Sequence, residues 1–173
     1  MTHAFRSMHH LCVVVKDVDR AMKFYENIGI GPWYEYPPLS EYTQLDVPDR
    51  HGFLGLRYVY TNIGEVQLQL VQPSENDSPQ RRFLEQTGGG VFHVGFSVED
   101  VDTATAEVER LGVRRWMTGR RPDRSGFAYF RTRDEAGVTL EVRQSSGGAS
   151  MPPIPASDYS PLKARYNGAD WHA

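Results

Sequence analysis

The chain of 173 residues contains one cysteine, Cys12, so no disulfide bond can form within it. Cys12 lies inside an apolar run, which favours a small core residue over a nucleophile. No apolar run reaches the length of a membrane-spanning helix, and the opening residues lack the apolar centre of a signal peptide. These absences favour a cytoplasmic protein.

An excess of positive charge is also missing, because 19 Lys and Arg stand against 22 Asp and Glu. Such a chain has no surplus charge to place along a phosphate backbone, which argues against nucleic acid as its partner. A hydrophobic share of 39% and a charged share of 24% exclude wholesale disorder. We expect one compact domain or two small fused modules, with a small molecule as the partner.

Two stretches of the chain, residues 8–28 and 91–111, share one pattern. In each, a histidine opens an apolar run, and an Asp-Val-Asp-x-Ala segment follows at the same offset. The equivalent residues are His10, Asp17, Val18, Asp19 and Ala21 in the first copy and His93, Asp100, Val101, Asp102 and Ala104 in the second. Repetition at a fixed spacing predicts two halves with the same fold.

A second pair of stretches, residues 66–72 and 138–144, closes the two halves with alternating segments typical of β-strands. Gln69 and Glu141 hold equivalent positions in them. Between the first strand and the last, each half has one helical segment and two further strand segments, so each reads as β-α-β-β-β. The sequence therefore predicts a mixed α+β fold built from two βαβββ modules.

The predicted boundaries follow from these segments. Residues 8–72 form the first module, 73–90 a linker with a helix that starts after Ser78, and 91–144 the second module. Within the first module we expect a loop or flap over residues 39–52 and a strand over residues 53–60.

The tail, residues 145–173, begins with Ser, Gly and Pro and then becomes aromatic. We expect it to dock on its own chain or on a neighbouring copy. Paired modules of this kind leave sheet edges and an apolar face exposed, so we also expect a homodimer with Tyr159 or Trp171 near its interface.

Four side chains that can bind a metal occupy the repeat-equivalent positions, namely His10, Gln69, His93 and Glu141. Taken singly, each is more often an ordinary core or strand residue than a ligand. If the modules pack around a pseudo-twofold axis, however, all four converge. Two imidazoles with a carboxylate and an amide oxygen suit a divalent Zn, Co, Ni, Mn or Fe ion. The pattern thus predicts a metal-centred cleft.

These residues resemble the vicinal oxygen chelate (glyoxalase/bleomycin-resistance) superfamily over roughly residues 8–144, and within it the methylmalonyl-CoA epimerases. The resemblance is carried by short motifs around the four candidate ligands. They are His10 before Val-Lys-Asp-Val-Asp, Gln69 four residues before Pro73, residues 74–78 before a helix with Phe83-Leu84, His93 after Gly90, and Gly137-Val138-x-Leu140-Glu141.

The resemblance implies a divalent-metal-dependent isomerase, epimerase or lyase. Its substrate would carry neighbouring oxygens, as an acyl-CoA or a 2-oxo acid does, and would react through a chelated enolate. It also implies that His10, Gln69, His93 and Glu141 are the metal ligands, and that Glu141 moves the proton as well.

A second acid or base is not evident. The stretch that matches the carboxylate-bearing strand of some epimerases, residues 56–60, has no acid, so Tyr58 and Tyr60 are the candidates there. Asp46, Asp49 and His51 in the preceding loop are alternatives. For each of these five residues, a role in packing or solvation remains the competing interpretation.

Three other functions compete with the first. A ring-cleaving dioxygenase would hold Fe(II) with two His and one Glu from one module, whereas these ligands come from both halves. A metal-free resistance-type binding protein would not need four intact ligands. A glyoxalase I-like isomerase of thiol adducts needs a carboxylate clamp, which we cannot identify among Arg20, Arg81 and Arg82.

Overall fold

The computed structural model describes residues 4–146 and 153–155. The strands are β1 (Met8–Val14), β2 (Tyr34–Glu35), β3 (Gln44–Asp46), β4 (Arg57–Ile63), β5 (Val66–Gln72), β6 (Gly90–Ser97), β7 (Arg115–Arg120), β8 (Gly126–Phe130) and β9 (Thr139–Gln144). The helices are α1 (Val18–Asn27), α2 (Arg50–Leu54), α3 (Pro79–Thr87), α4 (Val101–Arg110) and α5 (Arg133–Ala136), with a 3₁₀ turn at Leu39–Glu41.

The strands form one nine-stranded sheet in the order β2-β4-β5-β1-β6-β9-β8-β7-β3. The first strands of the two modules, β1 and β6, pair antiparallel at its centre. Each of them pairs parallel with the last strand of its own module, β1 with β5 and β6 with β9. The predicted α+β fold with two βαβββ modules is confirmed, since each half supplies one copy of this arrangement.

The repeated Asp-Val-Asp segments begin the two equivalent helices. Asp17 accepts a hydrogen bond from the Arg20 amide at 2.9 Å, and Asp100 accepts one from the Thr103 amide at 2.6 Å. Both are N-caps, which satisfy amides that the first helical turn leaves without a partner. The same local chemistry therefore starts α1 and α4 at the same place in each module.

The apolar side chains separate into three clusters. α1 packs on one side of the first module, where its Val18 joins Trp33 and Leu70, and α4 packs on the same side of the second module, where its Val101 joins Val142. The third cluster covers the other face of the sheet, and it contains Cys12, Tyr42, Phe53, Tyr58, Phe92, Phe127 and Tyr129. Successive side chains of a strand point to opposite faces of the sheet. Alternate residues of one strand can therefore pack against a helix, while the residues between them join the third cluster.

Residues 39–52 were predicted to be a loop or flap, and the prediction of a loop was wrong, because the structure has regular elements over the segment from residue 39 to residue 54. It contains a 3₁₀ turn, β3 and α2, and β3 pairs with β7 of the second module. Phe53, predicted to start a strand, instead lies in α2 and is buried. The segment therefore crosses from the first module to the second and places its apolar residues over the face of the sheet that the helices leave open.

Part of the tail lies against the first module. Pro153 forms a β-bridge with Tyr34, and the Ile154 amide donates to the Trp33 carbonyl at 2.7 Å. The predicted interface residues Tyr159 and Trp171 lie outside the described residues, so the homodimer stays a prediction. Within the described ranges, none of the helices has the length and apolar character needed to cross a membrane.

Leu70→Ala should lower the free energy of unfolding by about 2–5 kcal/mol, because it opens a cavity at a fully buried position under α1. Leu111→Ala is the matched control. That leucine is 63% exposed, so its truncation should cost less than about 0.5 kcal/mol. Urea unfolding measures both, and equal losses would contradict the core described here.

Candidate metal centre

Three of the predicted ligands meet in a buried group at the centre of the sheet. His10 Nε2 lies 2.8 Å from His93 Nε2 and 3.1 Å from Glu141 Oε2. His93 Nε2 lies 2.9 Å from the same carboxylate oxygen. All three side chains are buried, and their ligand atoms lie within 4.8 Å of one another, so they form a group that can hold a metal ion. The two modules contribute to it jointly.

The strand register explains the convergence. In the central pair, His10 lies opposite Gly95 and His93 lies opposite Cys12. Glu141 is the parallel partner of Gly95, and Gln69 is the parallel partner of Cys12. Each histidine therefore faces a small residue across the strand pair, and each oxygen-bearing side chain lies beside that small residue. This is the arrangement that a pseudo-twofold axis between β1 and β6 requires.

Gly95 makes room for the ring of His10. A Cβ atom built at Gly95 would lie 2.0 Å from His10 Cε1 and 2.4 Å from His10 Nδ1, closer than any non-bonded contact allows. The ring thus occupies the space that a side chain at Gly95 would fill. The glycine is required by the position of the imidazole rather than by its own backbone angles.

Burial and neighbouring charges set the protonation of the group. Burial lowers the pKa of His10 to about 4, although Glu141 acts in the opposite direction. Burial raises the pKa of Glu141, but the interactions with His10 and His93 lower it by more. The pKa of Glu141 therefore lies well below its usual range. At neutral pH the group therefore offers a neutral imidazole at His10 and an ionised carboxylate at Glu141.

This donor set fits a divalent cation. Two ring nitrogens only 2.8 Å apart cannot both carry a hydrogen on the facing atoms without repulsion. Yet each needs a hydrogen there to donate to Glu141. A cation between them removes the conflict, because it binds the lone pairs of both nitrogens and the carboxylate oxygen together. A mixed N/O set of this kind suits a divalent first-row metal.

Gln69, the fourth predicted ligand, is buried and lines the same cavity as His10 and Glu141. Its Nε2 donates to Gln67 Oε1 at 3.1 Å, a bond in which the Gln69 amide oxygen takes no part. That bond orients the amide, and the oxygen is the atom that would serve as a ligand. The structure thus brings all four predicted ligands to one region.

The sequence analysis did not single out His9, which lies beside the cluster. Its Nδ1 is 2.8 Å from His10 Nδ1, and a β-bulge between Met8 and His10 brings the two neighbouring rings to one side. Burial, followed by the charges of Arg143 and His10, lowers the pKa of His9 to about 4. A neutral His9 can accept the Nδ1 hydrogen of His10, which leaves His10 Nε2 free for a metal.

A small cavity with about 20 Å³ of internal space, partly open to solvent, lies next to the cluster. The segment 39–54 and the aromatic residues of β4 and β8 form most of its wall. Its lining residues are His10, Tyr36, Leu39, Tyr42, Phe53, Tyr58, Gln69, Phe127, Tyr129, Glu141 and Arg143. Glu141 is the sole carboxylate among them.

The other candidate acids and bases differ in whether they line the cavity. Tyr58 lines the cavity, and its hydroxyl accepts a hydrogen bond from Gln80 Nε2 at 3.3 Å. Tyr60 is half-buried and stacks on Tyr34 with ring centroids 5.4 Å apart, and it does not line the cavity.

The candidates from the segment over the cavity do not reach it either. Asp46 and His51 are exposed. Asp49 caps α2 by accepting a hydrogen bond from the Gly52 amide. None of the three lines the cavity, so the structure favours Tyr58 over all of them as a second group beside Glu141.

Comparisons with known proteins agree with this fold. The chain belongs to the Glyoxalase/Bleomycin resistance protein/Dioxygenase superfamily, which it matches over residues 9–130. It is 25% identical to human mitochondrial methylmalonyl-CoA epimerase over 141 residues, covering 80% of this chain and 73% of that protein. The resemblance inferred from the ligand motifs is therefore confirmed.

Solved structures give the same result. A Mycobacterium tuberculosis methylmalonyl-CoA epimerase superposes with a TM-score of 0.63 at 21% identity, covering 84% of this chain and 92% of the other. A variant of the Streptomyces coelicolor epimerase, in complex with 2-nitronate-propionyl-CoA, has a TM-score of 0.63 at 25% identity, covering 86% and 99%. The chain thus matches nearly the whole of these enzymes.

Gly95→Ala should weaken metal binding strongly, because the added Cβ displaces the His10 ring. Ser97→Ala is the control, since this exposed residue lies two positions further along the same strand. Titration of both metal-stripped proteins with Co²⁺, followed by absorption, measures the effect. Equal affinities would show that His10 does not bind the ion.

His9→Ala should lower metal affinity by a smaller amount, about 10–100-fold, the usual effect of removing a hydrogen-bond partner from a metal-binding histidine. His51→Ala, at an exposed histidine on α2, serves as the control and should leave affinity unchanged. Competition with a metal-sensitive chelating dye reports both values. An unchanged affinity in His9→Ala would remove its assigned role.

Proposed function

We propose that this protein is a divalent-metal-dependent isomerase or epimerase, or a lyase of related chemistry, that acts on a small substrate with neighbouring oxygens. The observation that carries the proposal is the buried convergence of His10, His93 and Glu141 beside a cavity that Gln69 also lines. The relatives named above are methylmalonyl-CoA epimerases, and one is bound to an acyl-CoA analogue. An acyl-CoA is therefore the first substrate class to test.

His10, Gln69, His93 and Glu141 are the residues that would hold the cation. Once bound, a divalent ion acts as a Lewis acid and stabilises negative charge that develops on substrate oxygens. Such charge develops when a proton leaves the carbon next to a carbonyl. The residues of the cavity must then take that proton and return it.

Glu141 is assigned to the proton. It is the sole carboxylate among the described residues that line the cavity, and its depressed pKa keeps it ionised. The carboxylate has two oxygens, and Oε2 faces both histidines. A carboxylate held at one oxygen could accept a proton at the other, so Glu141 could serve in both roles.

Tyr58 is assigned as the second group. Burial, followed by the charges of Cys12 and Glu141, raises its pKa well above the usual range, so its hydroxyl stays protonated and can act as a donor. The donation from Gln80 to the hydroxyl oxygen leaves the hydroxyl hydrogen free for a substrate oxygen. None of the other described residues that line the cavity is a carboxylate, so isomerase and lyase chemistry stand beside epimerisation.

A dioxygenase remains the second candidate function, because two histidines and one glutamate also form the usual Fe(II) set of non-haem oxygenases. The amide of Gln69 and the origin of the ligands in both modules favour the isomerase. The two functions differ in whether oxygen is consumed.

Glu141→Gln should keep an oxygen ligand yet lose most turnover, on the order of the 10²–10⁴-fold that general acid–base catalysis contributes. The measurement is exchange of the substrate C2 hydrogen of methylmalonyl-CoA with solvent deuterium, in the absence of oxygen. Glu135→Gln, an exposed glutamate on α5, is the control and should exchange at the wild-type rate. His10→Ala and His93→Ala should lose metal and activity together.

A different outcome would contradict the isomerase. If wild-type protein carries out no exchange with this or related acyl-CoA and 2-oxo acid substrates, but consumes oxygen when loaded with Fe(II), the dioxygenase replaces the isomerase.

A further inference from the structure

A positively charged side chain shares the cavity with the metal-binding cluster. Arg143 follows Glu141 by two residues on β9, so the two side chains extend from the same face of the strand, and both line the cavity. The Arg143 guanidinium donates to the Tyr36 hydroxyl and lies 5.2 Å from the centroid of that ring. It is therefore held in place by an aromatic residue of the cavity wall.

A second guanidinium lies behind the same wall. Arg121, between β7 and β8, is only 6% exposed, and its guanidinium lies 4.2 Å from the ring centroid of Tyr42. Its Nε donates to Glu41 Oε2 at 3.1 Å. Its other two nitrogens are buried and have no hydrogen-bond partner among the residues that the structure describes.

The two arginines belong to one connected group. The hydroxyls of Tyr36 and Tyr42 are 3.4 Å apart, Arg143 contacts the first tyrosine, and Arg121 stacks on the second. The carboxylate paired with Arg121, Glu41, is 49% exposed on its side chain, so solvent weakens its charge. Glu141, the carboxylate nearest to Arg143 on its own strand, is already shared between two histidines.

The two guanidiniums and the two carboxylates on this side of the cavity are equal in number, but Arg143 forms no ion pair with a carboxylate among the residues that the structure describes. Arg121 does not line the cavity, so it contributes its charge from behind Tyr42 and not through a direct contact with a ligand. The planar fork of an arginine matches a carboxylate, which can accept two parallel hydrogen bonds.

We propose that Arg143, supported by Arg121 behind Tyr42, forms an anion-binding subsite that holds a carboxylate of the ligand beside the metal-binding cluster. The subsite rests on the cavity being the ligand site proposed above, but not on the reaction that takes place there. It makes Arg143 a specificity residue, because a ligand with a neutral group at that position leaves the guanidinium without its partner.

The test compares two small probes, malonate and its monoamide, malonamate. Each keeps one carboxylate that a metal can bind, and they differ in whether the second group is charged. Binding of each to the protein as purified is measured by isothermal titration calorimetry. We expect wild type to prefer malonate on the order of 10–100-fold, the usual range for a hydrogen bond to a charged group.

Arg143→Gln should reduce that preference to nearly equal binding, and Arg121→Gln should reduce it in part. Arg110→Gln also removes one positive charge, but from an exposed residue at the end of α4, and should keep the wild-type preference. Arg143→Lys keeps the charge without the planar fork, and its preference for malonate should fall between those of wild type and Arg143→Gln. Should Arg143→Gln fail to fold by circular dichroism, the lysine variant and Arg121→Gln carry the test.

Equal binding of the two probes by wild type, or a preference that Arg143→Gln, Arg143→Lys and Arg121→Gln all leave unchanged, would overturn the subsite. The result also separates this proposal from the proposed function. A preference that depends on Arg143, in a protein that exchanges no substrate hydrogen, would retain the subsite and remove the isomerase.

Discussion

The structure depends on one buried carboxylate. Glu141 is 2% exposed and ionised, and a buried ionised group is stable only if hydrogen bonds or an opposite charge replace the water that it has lost. His10 and His93 contact it from strands of different modules. Three features position these side chains. They are the pairing of β1 with β6, the small residues Gly95 and Cys12 opposite the two rings, and the bulge that places His9 beside His10. The site is therefore inseparable from the interface of the two repeats.

The two modules are equivalent in backbone but not in chemistry. The metal-binding positions follow the repeat, whereas the cavity does not. The segment 39–54 occurs only in the first module, and it closes the cavity by pairing β3 with β7 of the second. Arg143 has no counterpart in the first module, where residue 71 is the buried Val71. Symmetry thus places the four candidate metal ligands, and the departures from symmetry shape the cavity next to them.

The sequence predicted the repeat, the α+β fold and the positions of the four candidate metal ligands, because these depend on local patterns that occur twice. Asp17 and Asp100 cap their helices as the motifs indicate, and His10 and His93 follow from the same offset. The residues that the sequence analysis missed depend on contacts between distant segments. The guanidinium of Arg121 is significant only because Tyr42 packs beside it, and His9 only because of a bulge. The strand β3 was missed because three residues give no periodicity, and its partner lies some 70 residues further along the chain.

The central claim is that four side chains from two modules hold one divalent cation. Its most direct test is the anomalous diffraction of crystals grown with Co²⁺ or Zn²⁺. The account predicts one strong peak at about 2.0–2.2 Å from His10 Nε2, His93 Nε2, a Glu141 oxygen and the Gln69 amide oxygen. A peak elsewhere, or a Gln69 side chain that points away from both histidines, would contradict it.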